Sequence, residues 1–246
     1  MADDGSAYCG WQIQPNEPSV QAVMERTLTT ILRQEISVTG AGRTDTGVHA
    51  SFFVAHFDVD DTASISPSLD PAGEQFLFKV NRFLPPDIVV YKIESVPAHL
   101  HARFSAVYRT YHYHISKIKP LYNRNFSHYI YGSLDLKAIN DCCAIILETS
   151  DFTSFAKVHS DVKTHICRVM LANWKEVERG YLFEIKADRF LRNMVRSLTG
   201  TLLDVGQGKL SIQDFMKIVA AKDRSKAGQS APARGLFLVD IGYDKY

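Results

Sequence analysis

Apolar residues recur three and four apart at Val20, Val23, Met24, Leu28, Ile31 and Leu32. Opened by Pro18 and Ser19, this spacing predicts an amphipathic helix over 18–32. A short strand is expected at 35–38. Over 51–58, Phe53, Ala55 and Phe57 alternate with Phe52, Val54 and His56, which predicts a strand buried at least in part. Residues 58–71 are polar and hold two prolines, so they read as a loop. The period then returns to helical over 72–84, with Phe76, Leu77, Val80, Phe83 and Leu84 facing inward until Pro85 and Pro86 stop it. Residues 87–96 read as a further strand.

The second half repeats the order. Residues 107–116 alternate with Arg109, Tyr111 and Tyr113 on one face and Thr110, His112 and His114 on the other. A basic and aromatic loop follows over 117–131. Ser133 or Asp135 caps a helix reaching about residue 147. Strands at 164–178 and 181–188 flank a turn at Arg179-Gly180, and the second places Tyr181, Phe183, Ile185 and Ala187 on one face. A helix is predicted over 190–203, with Leu191, Met194, Val195, Leu198 and Leu202 as its apolar stripe. Arg189, Arg192 and Arg196 are three and four apart and would share another face. Gly206 and Gly208 end it. Ser211 with Asp214 is close to a capping box and opens a helix to about residue 221. A last strand covers 236–243.

With one strand supplied before Pro18, and the helix opened at Ser211 left out of the second half, each half reads β-α-β-β-α-β. The fold expected is α+β: two ferredoxin-like domains, 1–105 and 106–246, forming a mixed sheet with a central cleft where a ligand would sit.

Composition narrows the function. The 246 residues are 46% hydrophobic, enough for a sizeable core, and contain no apolar run long enough to span a membrane. The acidic start Met1-Ala2-Asp3-Asp4-Gly5 has no apolar h-region, which predicts a cytoplasmic protein without a signal peptide. Cys9, Cys142, Cys143 and Cys167 form no C-x-x-C pair, so neither a disulfide framework nor a zinc site is expected. Cys142 and Cys143 fit small core positions. Net charge is only +1, yet it is unevenly spread. Residues 1–100 carry 6 Lys and Arg against 13 Asp and Glu, and 101–246 carry 22 against 14. This leaves room for a basic surface on the second half, or for an uneven distribution of solvated charge with no partner.

The candidate chemistry sits in Gly40-Ala41-Gly42-Arg43-Thr44-Asp45-Thr46-Gly47-Val48-His49-Ala50. A glycine-rich turn between two strands displays one arginine, one aspartate and one histidine. Taken alone, Asp45 fits a turn-capping aspartate as well as a reactive carboxylate. Asp45 and His49 are four apart but not on a helix, and no third ligand accompanies them, so no metal is expected. His99, His101, His112 and His114 have no supporting cysteine or carboxylate spacing and read as structural or surface residues.

The string 42–50 closely resembles the signature of the TruA family of tRNA pseudouridine synthases. Further matches are Tyr8-Cys9-Gly10-Trp11-Gln12, His101-Ala102-Arg103-Phe104-Ser105-Ala106, Tyr111 with Tyr113, Asp151-Phe152-Thr153-Ser154-Phe155, Arg189-Phe190-Leu191-Arg192-Asn193-Met194-Val195-Arg196 and Ala233-Arg234-Gly235-Leu236. They run along most of the chain. The start departs from the pattern: Asp3 stands where the family has Tyr, and most of the preceding strand is absent, so an incomplete first strand is expected.

The resemblance implies conversion of uridine to pseudouridine at positions 38, 39 and 40 of the tRNA anticodon stem-loop, by a homodimer without cofactor or metal. It makes Asp45 the nucleophile, with the ribose C1′ and the uracil C6 as its two conceivable targets. Arg43 would be its cationic partner and Tyr111 the platform for the flipped uracil. Arg196 would stand near the pocket, while Arg189, Lys117 and Arg124 are candidates for RNA contact. The alternative is a tRNA-binding module or chaperone that keeps the fold but has weak catalysis. A carboxylate-based nucleoside hydrolase, releasing free uracil, is a weaker third reading.

Overall fold

Ser19 starts the first helix by accepting a hydrogen bond from the Ala22 N–H, and Arg33 ends it in the left-handed region at φ 57°. This helix, α1 (Val20–Leu32), buries Val20, Met24, Leu28, Ile31 and Leu32. The computed structural model describes residues 1–60, 73–158 and 162–244. The loop predicted over 58–71 therefore lies outside the described residues from 61 onward. The chain divides into two compact units, Met1–Val107 with Asp240–Tyr246, and Tyr108–Val239.

In the first unit, α1 packs against α2 (Glu74–Phe83), which buries Phe76 and Val80. Phe83, expected to face inward, is exposed; the extended C-cap Leu84 takes the buried place after it. Strand β1 (Ala2–Asp3) lies antiparallel between β3 (His49–Ala50) and β5 (Ile88–Val89). A separate ladder joins β2 (Thr39–Gly40) to β4 (Ala55–His56).

These strands are shorter than the alternation suggested, for identifiable reasons. The strand expected at 35–38 forms at β2 instead. The one expected over 51–58 reduces to β4, whose Ala55 pairs with β2, while the pairing with β1 falls just before it, at Ala50. Between them Phe53 turns inward and stacks on Trp11, ring centroids 4.2 Å apart. The strand expected over 87–96 reduces to β5. The Asn81 side chain takes both the N–H and the C=O of Val90, at 2.8 Å each, and so replaces a neighbouring strand there.

In the second unit the strand order is β10-β6-β9-β8, with β7 beside β6. The strands are β6 (Ala106–Ser116, its first two residues in the first unit), β7 (His128–Tyr129), β8 (Val169–Val177), β9 (Gly180–Ala187) and β10 (Leu236–Tyr243, its last four residues in the first unit). β6–β9 and β8–β9 are antiparallel and β6–β7 is parallel, so the sheet is mixed. Phe183 and Ile185 of β9 and Tyr113 of β6 are fully buried. The helices are α3 (Leu136–Glu148), α4 (Met194–Gly206) and α5 (Ile212–Ala221). Asp135 caps α3, and Ser211 and Asp214 form a reciprocal capping box on α5. α3 packs on β8, where Asn140 bonds both backbone groups of Trp174. Cys142 and Cys143 are buried on α3, and burial pushes their thiols up to about 11 and about 12.

Two boundaries differ from expectation here. Residues 164–168 do not extend β8, because this stretch pairs with 150–152 through Cys167 N–H to Ser150 O and Phe152 N–H to His165 O. α4 starts at Met194 rather than 190, since Asn193 adopts φ 65° at its N-cap. Arg189 and Arg192 therefore precede the helix and share no helical face with Arg196.

Candidate active site

The loop from β2 to β3 carries Arg43 and Asp45, and the segment at residues 4–11 braces it. The Trp11 N–H donates to Thr44 Oγ1 at 2.9 Å, and the Gly47 N–H donates to Tyr8 O at 3.2 Å. Gly10 has φ +85°, and a Cβ there would lie 2.1 Å from Thr44 O. Only glycine permits both that backbone and that approach. Gly47 also has positive φ, at 76°. Within the loop the Val48 N–H closes a turn onto Asp45 O at 3.1 Å. The result is a fixed backbone whose apolar end, Val48 to Ala50, is buried, whose Asp45 is half-buried, and whose Arg43 is exposed.

His49 is part of the brace. It is 1% exposed, and its Nδ1 accepts the Gly5 N–H at 3.0 Å. A nitrogen that accepts this bond carries no proton. The 3.1 Å approach of Asp4 Oδ1 to the same atom is therefore not a donated ion-pair bond. Asp4 instead accepts from the Ser6 N–H, capping the turn at Gly5–Ala7. Nothing in the spacing of residues 4–11 announced this bracing role; the cue available was two glycines and a tryptophan in one short stretch.

The other candidates lie in the second unit. Tyr111 on β6 is half-buried and meets Phe190 edge to face, with centroids 5.2 Å apart. Tyr113, two residues on, is fully buried and donates to Pro232 O at 2.8 Å. Burial drives its phenol far above the usual range, against the pull of Arg196 and Arg234. Arg196 Nε donates to Ala231 O at 2.8 Å, and the Ala231 N–H returns a bond to Arg196 O at 2.9 Å. This pair ties α4 to the segment leading into β10. Arg224 adds to the tie through Gly228 O and Ser230 Oγ, and Asn193 Nδ2 reaches the same Ser230 hydroxyl at 2.7 Å.

Arg189 is half-buried, its N–H bonded to Asp188 Oδ1. Lys117 is bound to Glu176 and lies over the Tyr181 ring, 5.1 Å from its centroid. Much of its charge is thereby offset. Arg124 is exposed and donates to Leu121 O at 3.0 Å. Of the histidines read as structural, His101 Nδ1 accepts the N–H groups of Arg103 and Phe104, and His112 lies 3.5 Å from Glu184. Among the described residues, no group of three His, Cys, Asp or Glu is placed to hold a metal ion, and no helix is long and apolar enough to cross a membrane.

Chemically, the first unit presents a half-buried carboxylate on a rigid loop with a guanidinium two residues before it. Such a carboxylate is suited to attack on an electrophilic carbon without prior rearrangement of the backbone.

Residues 148–244 match a family model described as tRNA pseudouridine synthase. A protein named tRNA pseudouridine synthase A from Bacteroides thetaiotaomicron is 48% identical over 246 residues, covering 99% of this chain and 88% of its own. One of the same name from Bacteroides fragilis is 50% identical over 244 residues, 99% of this chain and 94% of its own. A more distant one, from Halalkalibacterium halodurans, is 38% identical over 240 residues, 96% and 88% of the two chains.

Proposed function

The chain belongs to the tRNA pseudouridine synthase A family, and from that premise we propose how its own residues carry the reaction. The enzyme is an isomerase that converts uridine in tRNA to pseudouridine. The N1–C1′ bond breaks, the uracil turns and C5 bonds to C1′; C5 gives up its hydrogen as a proton and N1 takes one up. Atoms balance without oxidant or reductant.

Asp45 is the nucleophile and Arg43 the cation that favours its ionised form in an apolar base pocket. Tyr111 is the surface on which the flipped uracil stacks. Arg196 is a further substrate contact. Arg189 and Arg124 hold phosphates, and Lys117 contributes less because Glu176 already neutralises it. The substrate site is the anticodon stem-loop, at positions 38, 39 and 40, the enzyme works as a homodimer, and it acts in the cytoplasm. Both units are read as ferredoxin-like domains. In the second, the order β10-β6-β9-β8 is that of the fourth, first, third and second strands of such a unit.

The observation that carries the reading is the brace on the Asp45 loop. A turn with only a structural aspartate would not need the Gly10 approach, the Thr44 bond and the Gly47 bond to fix its backbone. The test is tritium release from tRNA labelled at uridine C5, with wild type and Asp45→Asn compared after both are shown to fold and bind tRNA. Release by the wild type alone is the expected result. Equal release by Asp45→Asn would remove Asp45 from the role, and no release by either despite tight binding would favour the tRNA-binding module.

A further inference from the structure

Phe104 is 77% exposed, the most exposed phenylalanine among the described residues. Its ring is nevertheless held. One side packs on the His101 ring, with centroids 4.3 Å and planes 30° apart, and His101 in turn meets His56 edge to face at 4.8 Å. The backbone around it is pinned as well. His101 Nδ1 accepts the N–H groups of Arg103 and Phe104 at 3.1 and 3.2 Å. The His101 N–H donates to Ser105 Oγ and the Ser105 N–H donates to His101 O, each at 3.0 Å. Ala102 donates its N–H to His56 Nδ1 at 3.1 Å, and its carbonyl accepts the Tyr243 hydroxyl at 2.7 Å. An exposed apolar side chain is ordinary by itself. One whose ring is backed by a second ring and whose backbone is fixed on both sides is a preorganised surface, which loses little freedom when a ligand lands on it.

The neighbours of the ring select that ligand. Arg103 is exposed, and its guanidinium lies 5.6 Å from the Phe104 centroid. A flat ring with an open side and a cation next to it is a surface on which unpaired RNA bases stack. Base-paired RNA cannot use it, because its bases are already stacked on one another. The platform also shares a support with the reactive carboxylate. His56 belongs to β4, β4 pairs with β2, and β2 leads directly into the Asp45 loop.

We propose that Phe104 is a stacking platform for an unpaired base of the tRNA substrate, with Arg103 as the cation beside it. This platform is separate from the one for the target uracil read at Tyr111, and it rests on tRNA being the substrate. Every base has a π-face, so the contact holds the tRNA without reading its sequence. It contributes to binding and takes no part in the isomerisation step.

The test is equilibrium binding of unmodified tRNA by the full chain, with circular dichroism to confirm folding and light scattering to follow molar mass. Phe104→Ala should raise the tRNA dissociation constant at least about 10-fold, whereas Phe104→Trp should stay within about 3-fold of wild type. Phe104→Leu, apolar but without a π-face, should bind like Phe104→Ala. A fully paired RNA duplex should bind all four proteins alike. At saturating tRNA, single-turnover tritium release by Phe104→Ala should match wild type. Unchanged tRNA affinity in Phe104→Ala, rescue by leucine as good as by tryptophan, an equal loss on the duplex, or a release rate that stays low at saturation would each overturn the proposal. A loss of tRNA affinity that follows a change in molar mass would assign the ring to a protein contact and overturn it too. A wild type that binds no tRNA overturns the tRNA reading itself, while wild-type binding that Phe104→Ala leaves intact overturns the platform alone.

Discussion

Asp3 is a carboxylate placed where the fold would prefer a neutral group, and its replacement by asparagine should stabilise the protein at alkaline pH. It is 8% exposed in β1, opposite Ile88 and Ala50. Burial, reinforced by Asp4 and Asp87, raises its pKa from 3.8 to about 7. The folded state thus holds this proton more tightly than the unfolded chain does. The stabilisation is fully present below about pH 4 and is lost as pH rises through about 7. At about 1.4 kcal/mol per unit, the loss over this window is up to about 4 kcal/mol. Asp3→Asn keeps the shape and removes the ionisation. At pH 8 it should be more stable than wild type by a large part of that amount, and at pH 4 the two should converge. Urea denaturation at both pH values measures this, followed by Trp11 fluorescence in a Trp174→Phe background, since Trp11 lies in the first unit and stacks on Phe53. A difference between Asp3→Asn and its parent that does not change with pH, or an Asp3→Asn that is less stable at pH 8, would refute the reasoning.

Gly10→Ala forces a Cβ to 2.1 Å from Thr44 O at φ +85°, and should cost about 1–3 kcal/mol and displace the Asp45 loop. Denaturation and tritium release should fall together, whereas Gly208→Ala, also at positive φ but with open space around its Cβ, should lose stability and keep most activity. In the second unit, Lys222 and Thr153 hold the Asp151 carboxyl down at about 2. Its depressed pKa gives stability that is present above about pH 4 and lost as pH falls toward 2. Asp151→Asn should cost about 1 kcal/mol at pH 7 after allowance for partial solvent exposure, with the deficit shrinking in acid; denaturant midpoints across that range measure it.

The sequence by itself determined where the helices lie and that Asp45 sits in a glycine-rich turn. Helical periodicity is local, and so are caps: Ser19, Asp135 and the Ser211–Asp214 box each act within three residues. Asp45 and Arg43 stood out through the resemblance of the string 42–50 to a family signature; their residue types alone left a turn-capping aspartate open. The tertiary structure decided what depends on partners far away in the chain. Strand length was such a property. Residues 51–58 look continuous, yet only Ala55–His56 find a partner strand, while at Val90 and over 164–168 Asn81 and residues 150–152 supply the hydrogen bonds. The start of α4 was another, since Asn193 adopts a left-handed backbone that no apolar stripe reveals, and this separates Arg189 and Arg192 from Arg196. The clamp of residues 4–11 on the Asp45 loop was the third. Periodicity reports which face of an element is buried, but only the folded chain shows which backbone groups satisfy one another, and that pairing fixes where a strand ends and how the Asp45 loop is held.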